Sequence, residues 1–259
     1  MADASEAIAA EIAPSGVLRA AINTGNTLLV TGTDKAGDPE GVAPDLTREI
    51  ASRLGRPIRF VLFPRPAALA DAATDEVWDI GLIGAEPARA EKIVFTEAYA
   101  EIEAGYLVPA GSPLRDIGDV DQPGVRISVA AGSAYCLWLE RNLKRATLVR
   151  SDSPDDAEAV FAAEGLDVLA GLRQGLQANL HRLKGARILP GRFMAVQQAV
   201  GTQKEKRAGA AFLRSFVEEA KASGLIARLL DRHGMNGRLT VAPPAGGKAG
   251  RGASEQLRG

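Results

Sequence analysis

Arg89 is the side chain whose position in this sequence best suits it to bind an anion. It follows a predicted buried strand, Asp79 to Ile83, and lies just after Pro87, which opens a very short predicted helix. Pro is tolerated at the first helical position because that N–H has no intrahelical partner. The helix dipole disfavours a guanidinium in the first turn by about 0.3–1 kcal/mol, and a carboxylate bound bidentately would compensate. The alternative is that Arg89 pairs with Glu86 or Glu91 at the surface. The residues alone do not decide between anion binding and this ion pair.

The elements around Arg89 alternate between strands and helices, which predicts an α/β fold with a mostly parallel sheet covered by helices. In such a sheet ligands bind at the carboxyl ends of the strands, and free N–H groups at helix N-termini suit anions. The predicted strands are 17–23, 58–63, 79–83, 125–130, 147–151 and 168–172, and the predicted helices are 43–54, 66–74, 134–143, 154–164, 175–183, 204–223 and 225–233.

The domain organisation follows from two long extended runs, one ending at Pro109 and one spanning Phe193 to Thr202. They separate two α/β units, so we expect the chain to cross to a second lobe and return. The predicted lobes are 15–107 with 199–241, and 108–198. Residues 1–14 form an N-terminal segment, and the Gly- and Pro-rich residues 242–259 are predicted to be a disordered tail.

Composition excludes several classes of function. The chain has 259 residues, with 31 Lys and Arg against 32 Asp and Glu. Its net charge of −1 is too small to direct it to nucleic acid or to a membrane. The single cysteine, Cys136, allows neither an intramolecular disulfide nor a cysteine zinc site, and we expect it in the core. Neither His181 nor His233 has a partner at metal-ligand spacing. The sequence therefore predicts no metal, no cofactor and no catalytic residue.

The N-terminus lacks the basic and apolar regions of a secretory signal peptide. We therefore expect either a cytoplasmic protein, if the chain is full length, or one whose leader has been removed. No stretch reaches the roughly 18 apolar residues that a membrane span requires.

Short motifs in a fixed order resemble the family 3 extracellular solute-binding proteins, which share the type II periplasmic binding fold and include amino-acid receptors of ABC importers. The resemblance covers about residues 15–240. Its motifs are Gly16-Val17-Leu18-Arg19, Gly41-Val42-Ala43-Pro44-Asp45-Leu46, Trp78-Asp79-Ile80, Pro87-Ala88-Arg89, Phe95-Thr96-Glu97-Ala98-Tyr99, Ala131-Gly132-Ser133 and Gly165-Leu166-Asp167-Val168.

The resemblance implies a two-lobed clamshell, each lobe a mostly parallel sheet flanked by helices, with the ligand in the cleft between the lobes. In amino-acid receptors of this family the arginine of the short helix grips the ligand carboxylate, and Arg89 occupies that place. Ser133 and Ala134 stand where a hydroxyl and backbone N–H groups complete the anion site. The two crossings, near Tyr106 to Val108 and Gln197 to Val200, would act as hinges.

The departures from the family pattern bear on the ligand. The segment before Arg89 is about two residues shorter than usual, so Gly84 and Ala85 replace the common Ser or Thr contacts. In amino-acid receptors of this family an acidic residue shortly after the strand that matches Asp167 to Gly171 usually binds the ligand ammonium, but here that neighbourhood reads Gly171-Leu172-Arg173. Because a buried ammonium without a carboxylate partner costs several kcal/mol, an α-amino acid is a doubtful ligand.

Two further side chains leave alternatives open. Arg65 lies near a family aromatic position, and together with Arg173 and Arg89 it would suit a ligand with two negative groups; a solvated side chain is the other interpretation for Arg65 and Arg173. Asn26 either bonds a polar ligand or satisfies its own turn.

Three functions are compatible with the sequence. The first is a monomeric, non-enzymatic protein that binds a small carboxylate-bearing metabolite, with an ABC permease as partner and a periplasmic location by family resemblance. The second is a lyase on the same scaffold, similar to cyclohexadienyl dehydratases, with Glu86 or Glu97 as the candidate acid. The third is a cytoplasmic ligand sensor.

Overall fold

The computed structural model describes residues 2–246, with side chains from Glu6 onward. Of these residues, those up to Glu101 and those from Gln197 onward form unit 1, and Ile102–Val196 form unit 2. The last part of the predicted disordered tail, residues 247–259, lies outside the described residues.

The described residues confirm the predicted α/β class. Their α-helices are α1 Ala2–Ile12, α2 Val42–Leu54, α3 Pro66–Asp71, α4 Ala134–Asn142, α5 Pro154–Ala163, α6 Arg173–Asn179, α7 Arg207–Ala222 and α8 Leu225–Arg232. Their strands are β1 Leu18–Asn23, β2 Gly32–Thr33, β3 Pro39–Glu40, β4 Ile58–Phe63, β5 Ile80–Gly84, β6 Ile93–Phe95, β7 Ala100–Val108, β8 Arg126–Ala130, β9 Thr147–Ser151, β10 Val168–Leu172, β11 Arg187–Ile188, β12 Met194–Gln203 and β13 Thr240–Val241. The chain passes between the units within β7 and within β12.

Unit 1 is built on a sheet with the strand order β4-β1-β5-β12, in which the first three strands are parallel and β12 is antiparallel to β5. Every residue of β5 is buried because its sequence, IGLIG, is apolar on both faces. Trp78 and Leu69 are fully buried beside it. Since β1, β4 and β5 run in the same direction, their carboxyl ends at Asn23, Phe63 and Gly84 lie at one edge of the sheet.

Unit 2 has the strand order β7-β10-β8-β9, with β8 parallel to both β10 and β9 and with β7 antiparallel to β10. Its core contains Tyr106 and Phe193, whose rings stack with centroids 4.4 Å apart. The carboxyl ends of β8 and β10 share one edge, and α4 and α6 begin there.

Helix α2 forms where the spacing of its apolar residues and the glycine after it predict a helix. Leu46, Ile50 and Leu54 recur at helical spacing, and all three are buried. Gly55 ends the helix in the left-handed conformation, with φ of 68°, which costs glycine little. Both features match the sequence prediction.

The N-terminal residues form a helix that the sequence analysis did not anticipate. Ile12 of α1 is fully buried, and the Glu11 carboxylate accepts a hydrogen bond of 2.8 Å from the backbone N–H of Gly209 in the first turn of α7. This contact uses one of the N–H groups that have no intrahelical acceptor. Helix α1 is therefore an integral part of unit 1.

At the other end of the described chain, β13 pairs with the first residues of β7, and the backbone N–H of Ala242 donates to Tyr99 O at 3.2 Å. Among the residues that the structure describes, no helix combines the length and apolarity of a membrane span.

Candidate ligand-binding site

The loop after β1 is held at the carboxyl edge of unit 1 by its neighbour β4. Thr24 donates to Phe63 O through both its backbone N–H, at 2.9 Å, and its hydroxyl, at 3.1 Å. A Cβ on Gly25 would lie 2.4 Å from Pro64 O, so this close approach of two backbones requires glycine.

Asn26 and Arg65 both lie near this edge of unit 1. The side-chain oxygen of Asn26 accepts a hydrogen bond of 3.2 Å from the backbone N–H of Leu28, so Asn26 satisfies its own turn. The amide nitrogen of the same side chain can still donate to a ligand. Arg65 directly precedes α3 and is exposed. That Asn26 and Arg65 contact the ligand stays a prediction.

Arg89 lies just beyond the end of β5, but the local geometry differs from the prediction. Residues Arg89–Glu91 form a single 3₁₀ turn rather than the start of an α-helix. A turn of three residues aligns too few peptide dipoles to disfavour the Arg89 guanidinium in the way that the sequence predicted for a helical first turn. Arg89 is not a surface residue, because it is only 5% exposed, and Glu86, whose charge acts on it, is equally buried.

The Arg89 guanidinium folds back onto the strand that precedes it. Its Nη1 donates a hydrogen bond of 2.6 Å to Gly84 O. Burial lowers the pKa of Arg89 to about 10, and the nearby charges of Glu86 and Asp71 oppose that shift. The side chain therefore carries its full charge at neutral pH in a site from which water is largely excluded.

The backbone around Gly84 and Ala85 is already used within unit 1. The backbone N–H of Ala85 donates to Gln197 O at 2.7 Å, and Gly84 pairs with Gln198 of β12. These bonds fix the edge that positions Arg89. A ligand carboxylate at this edge would then depend more on the guanidinium than on the amide of Ala85.

In unit 2, Ser133 and Ala134 lie at the start of α4. The Ser133 hydroxyl donates to Ala130 O at 2.7 Å and accepts from the backbone N–H of Cys136 at 3.1 Å, so it caps the helix. Because its one proton is committed to Ala130, the hydroxyl offers an acceptor rather than a donor to a ligand. The first N–H groups of α4, beginning with Ala134, are the donors that suit an anion.

Arg173, which the sequence singled out, belongs to a group of three charged residues in unit 2 whose other members, Glu103 and Arg192, were not predicted. Arg173, the first residue of α6, donates from Nε to Glu103 Oε2 at 2.9 Å and from Nη2 to the backbone carbonyl of Gly191. Arg192 donates to the other oxygen of the same carboxylate at 3.4 Å. The available signal was the alternation of Glu101 and Glu103 in β7, which places two acidic residues on one face of a strand.

The family model of the bacterial extracellular solute-binding proteins, family 3, matches residues 20–236. The chain belongs to this family. The match covers most of both units and leaves residues 1–19 and 237–259 outside, so the resemblance drawn from short motifs is confirmed.

Solved structures share the fold of this family 3 protein at low sequence identity. The ArgBP of T. maritima is 21% identical, with 88% of this chain and 98% of that chain covered and a TM-score of 0.69. The substrate-binding protein of an amino-acid ABC transporter is 17% identical, with 84% and 98% covered and a TM-score of 0.67. An ancestral amino-acid-binding protein, described as a precursor of cyclohexadienyl dehydratase, is 18% identical, with 86% and 97% covered and a TM-score of 0.68. A search of the curated proteins finds no match.

Membership of family 3 gives the general role of the chain. Proteins of this family bind solutes, and the structural relatives named above are two-lobed binding proteins. The family description, solute-binding proteins, favours a binding protein over an enzyme. The identity of the solute is a separate question that depends on the side chains of this chain.

Proposed function

We propose that this family 3 protein captures a small carboxylate-bearing metabolite outside the cytoplasm, as a monomer, and delivers it to an ABC importer without transforming it. The single observation that carries the proposal is the buried Arg89 guanidinium at the carboxyl edge of unit 1, 5% exposed and bonded to Gly84 O.

Arg89 supplies the chemistry that such a ligand needs. A guanidinium presents N–H donors in a fixed fork that matches a carboxylate. Its bond to Gly84 O fixes the orientation of the group. Removing the guanidinium from water has a cost, as its lowered pKa shows. A ligand anion would offset that cost, and this favours acids over neutral ligands.

Unit 2 independently offers an anion-suited group. The N-terminus of α4 is capped by Ser133, and the N–H groups that follow have no intrahelical acceptors. The solved relatives carry amino-acid binding in their descriptions, and every amino acid has a carboxylate. We propose that Arg89 of unit 1 recognises a ligand carboxylate, with Asn26 and Arg65 as supplementary contacts. The first N–H groups of α4, with Ser133 and Ala134, are proposed as a separate anion contact within unit 2.

The experiment compares affinities of Arg89 variants. The parent is first screened by thermal shift against amino acids, dicarboxylates, 2-oxo acids and aromatic acids, and the acids that stabilise it are titrated by calorimetry. We expect Arg89→Ala to bind at least about tenfold more weakly, as for the loss of a charged hydrogen bond. Arg89→Lys should keep part of the affinity, because it keeps the charge but loses the fork.

The matched control is Arg53→Ala. Arg53 is in the same unit, but its side chain is 56% exposed and pairs with the exposed Glu219. This change should leave the affinity unaltered. If Arg89→Ala and Arg89→Lys both unfold at the parent temperature and bind as tightly as the parent, Arg89 does not bind the ligand and the proposal fails.

A further inference from the structure

Glu86 is a buried carboxylate of unit 1 that the proposed function does not use. It is 5% exposed, as is Arg89 three residues later. Both residues belong to the segment that connects β5 with β6. A glutamate is almost never buried to this extent unless it is paired with an opposite charge. The burial of Glu86 therefore calls for a cation close to it.

The turn after β5 holds Glu86 and Arg89 together. Glu86 O accepts hydrogen bonds from the backbone N–H of Arg89 at 3.0 Å and from that of Ala90 at 2.9 Å. The Arg89 guanidinium turns back along this segment to donate to Gly84 O at 2.6 Å. Lys92, the other cation between β5 and β6, is exposed. Arg89 is thus the cation of this segment whose burial matches that of Glu86.

The electrostatics of Arg89 agree with this pairing. Burial lowers the pKa of Arg89 to about 10, and the charge of Glu86 opposes this shift more than the charge of Asp71 does. Asp71, at the end of α3, is exposed, so water screens its charge. Glu86 is buried and is screened much less.

A ligand acid therefore does not meet an isolated cation at Arg89. It would gain a charge-assisted hydrogen bond from the guanidinium, but it would also bring a second negative charge close to Glu86. The repulsion between the two carboxylates is stronger in a buried site than in water, because the effective dielectric constant is lower. Part of the attraction of Arg89 for an acid is offset by a charge of the chain itself.

We propose that Glu86 is an internal competitor of the ligand: its carboxylate is the resident counter-ion of Arg89 and weakens the binding of an acid there. This inference rests on the proposed function, because it concerns the affinity of the same site in unit 1. Removing the charge of Glu86 while keeping its shape should tighten the binding of acids and leave the binding of neutral ligands unchanged.

The test compares acids with their amides on variants of the full chain. Calorimetry titrates succinate, pyruvate and benzoate, and succinamide, pyruvamide and benzamide as their neutral counterparts. Glu86→Gln should bind at least one of the acids about tenfold more tightly than the parent does, with no gain for the amide. Glu86→Met, which removes the charge without burying a polar amide, repeats the comparison. Glu86→Asp keeps the charge and should show no gain.

Glu91→Gln is the matched control. Glu91 lies in the same turn but is exposed, so the loss of its screened charge should change the affinity little. The gain should also disappear when Glu86→Gln is combined with Arg89→Ala, because no guanidinium is then left to compete for. Melting temperatures of all variants verify that each is folded.

Each outcome decides the inference. A gain for acids in Glu86→Gln that is absent from Glu91→Gln and from the double variant supports it, and so does an acid that binds Glu86→Gln but not the parent. Equal or weaker binding of acids by Glu86→Gln and Glu86→Met overturns it, as does an equal gain for acids and amides. If Arg89→Ala still weakens the binding of acids in those cases, the proposed function stands. If no acid binds the parent or either charge-free variant, both fail.

Discussion

Asp79 offers the sharpest test of what stabilises unit 1. Its carboxylate is fully buried and accepts hydrogen bonds from the backbone N–H, Nε and Nη2 of Arg19 at 2.9, 3.0 and 2.8 Å, and from Nζ of Lys206 at 3.2 Å. Replacing it by alanine leaves both cations without their partner. Removing one partner of a buried pair costs about 3–5 kcal/mol.

The lower end of that range applies here, because the side chains of Arg19 and Lys206 are 20% and 16% exposed and water can partly solvate them. We therefore expect Asp79→Ala to lower the free energy of unfolding by about 3 kcal/mol. At about 2–4 °C per kcal/mol for a protein of this size, the melting temperature should fall by roughly 6–12 °C. Urea unfolding followed by circular dichroism measures the free energy, and a thermal scan measures the temperature.

Glu219→Ala is the control for Asp79→Ala. Glu219 also pairs with an arginine of unit 1, Arg53, but both side chains are more than half exposed, so its loss should cost less than about 1 kcal/mol. If Asp79→Ala costs no more than Glu219→Ala, the buried network does not stabilise the fold and the reasoning is refuted.

Other predictions concern packing, pH and reactivity. A Cβ on Gly209 would lie 2.2 Å from a side-chain carbon of α1, so Gly209→Ala should lower the free energy of unfolding in urea by about 1–3 kcal/mol. The control, Gly175→Ala in α6, adds a methyl group to open space and should not destabilise the chain. Equal effects of the two changes would contradict the packing of α1 on α7. Burial raises the pKa of Asp121, but hydrogen bonds from three backbone N–H groups have the larger effect and lower that pKa overall. The Asp121 carboxylate therefore stabilises the fold above its unfolded pKa of about 3.9, and this stabilisation is lost as the pH falls through the folded pKa. Asp121→Asn should therefore cost roughly 1 kcal/mol at pH 7 after solvent screening, and a cost that did not shrink in acid urea titrations would refute the assignment. Burial raises the pKa of Cys136 to about 11, so the native thiol should resist iodoacetamide at pH 8 and react after unfolding; rapid native labelling would contradict its burial.

The same residues show how far the sequence could predict the fold. The apolar run of β5 and the helical spacing of Leu46, Ile50 and Leu54 are local patterns, and each predicted an element at about the right place. Helix α1 was missed although its Ala- and Glu-rich sequence favours a helix. Its packing against α7, nearly 200 residues later, supplies the tertiary contact that a local pattern cannot reveal.

The candidate site depends even more on contacts between distant residues. The position of Arg89 after a buried strand was visible in the sequence, but its burial and its bond to Gly84 follow from how a single 3₁₀ turn folds back. Arg173 was singled out, yet its partner Glu103 is 70 residues away. The sequence around either residue therefore could not predict the contact between Arg173 and Glu103.

The measurement that tests the central claim most directly is a thermal-shift screen of the parent chain against carboxylic acids and their neutral amides. A ligand present at about one hundred times its dissociation constant stabilises the fold by roughly 2.7 kcal/mol, and at about 2–4 °C per kcal/mol the melting temperature should rise by roughly 5–11 °C. The proposed function predicts such a rise with an acid, none with the corresponding amide, and none with either in Arg89→Ala. A rise that is equal for acid and amide, or that persists in Arg89→Ala, would contradict the account.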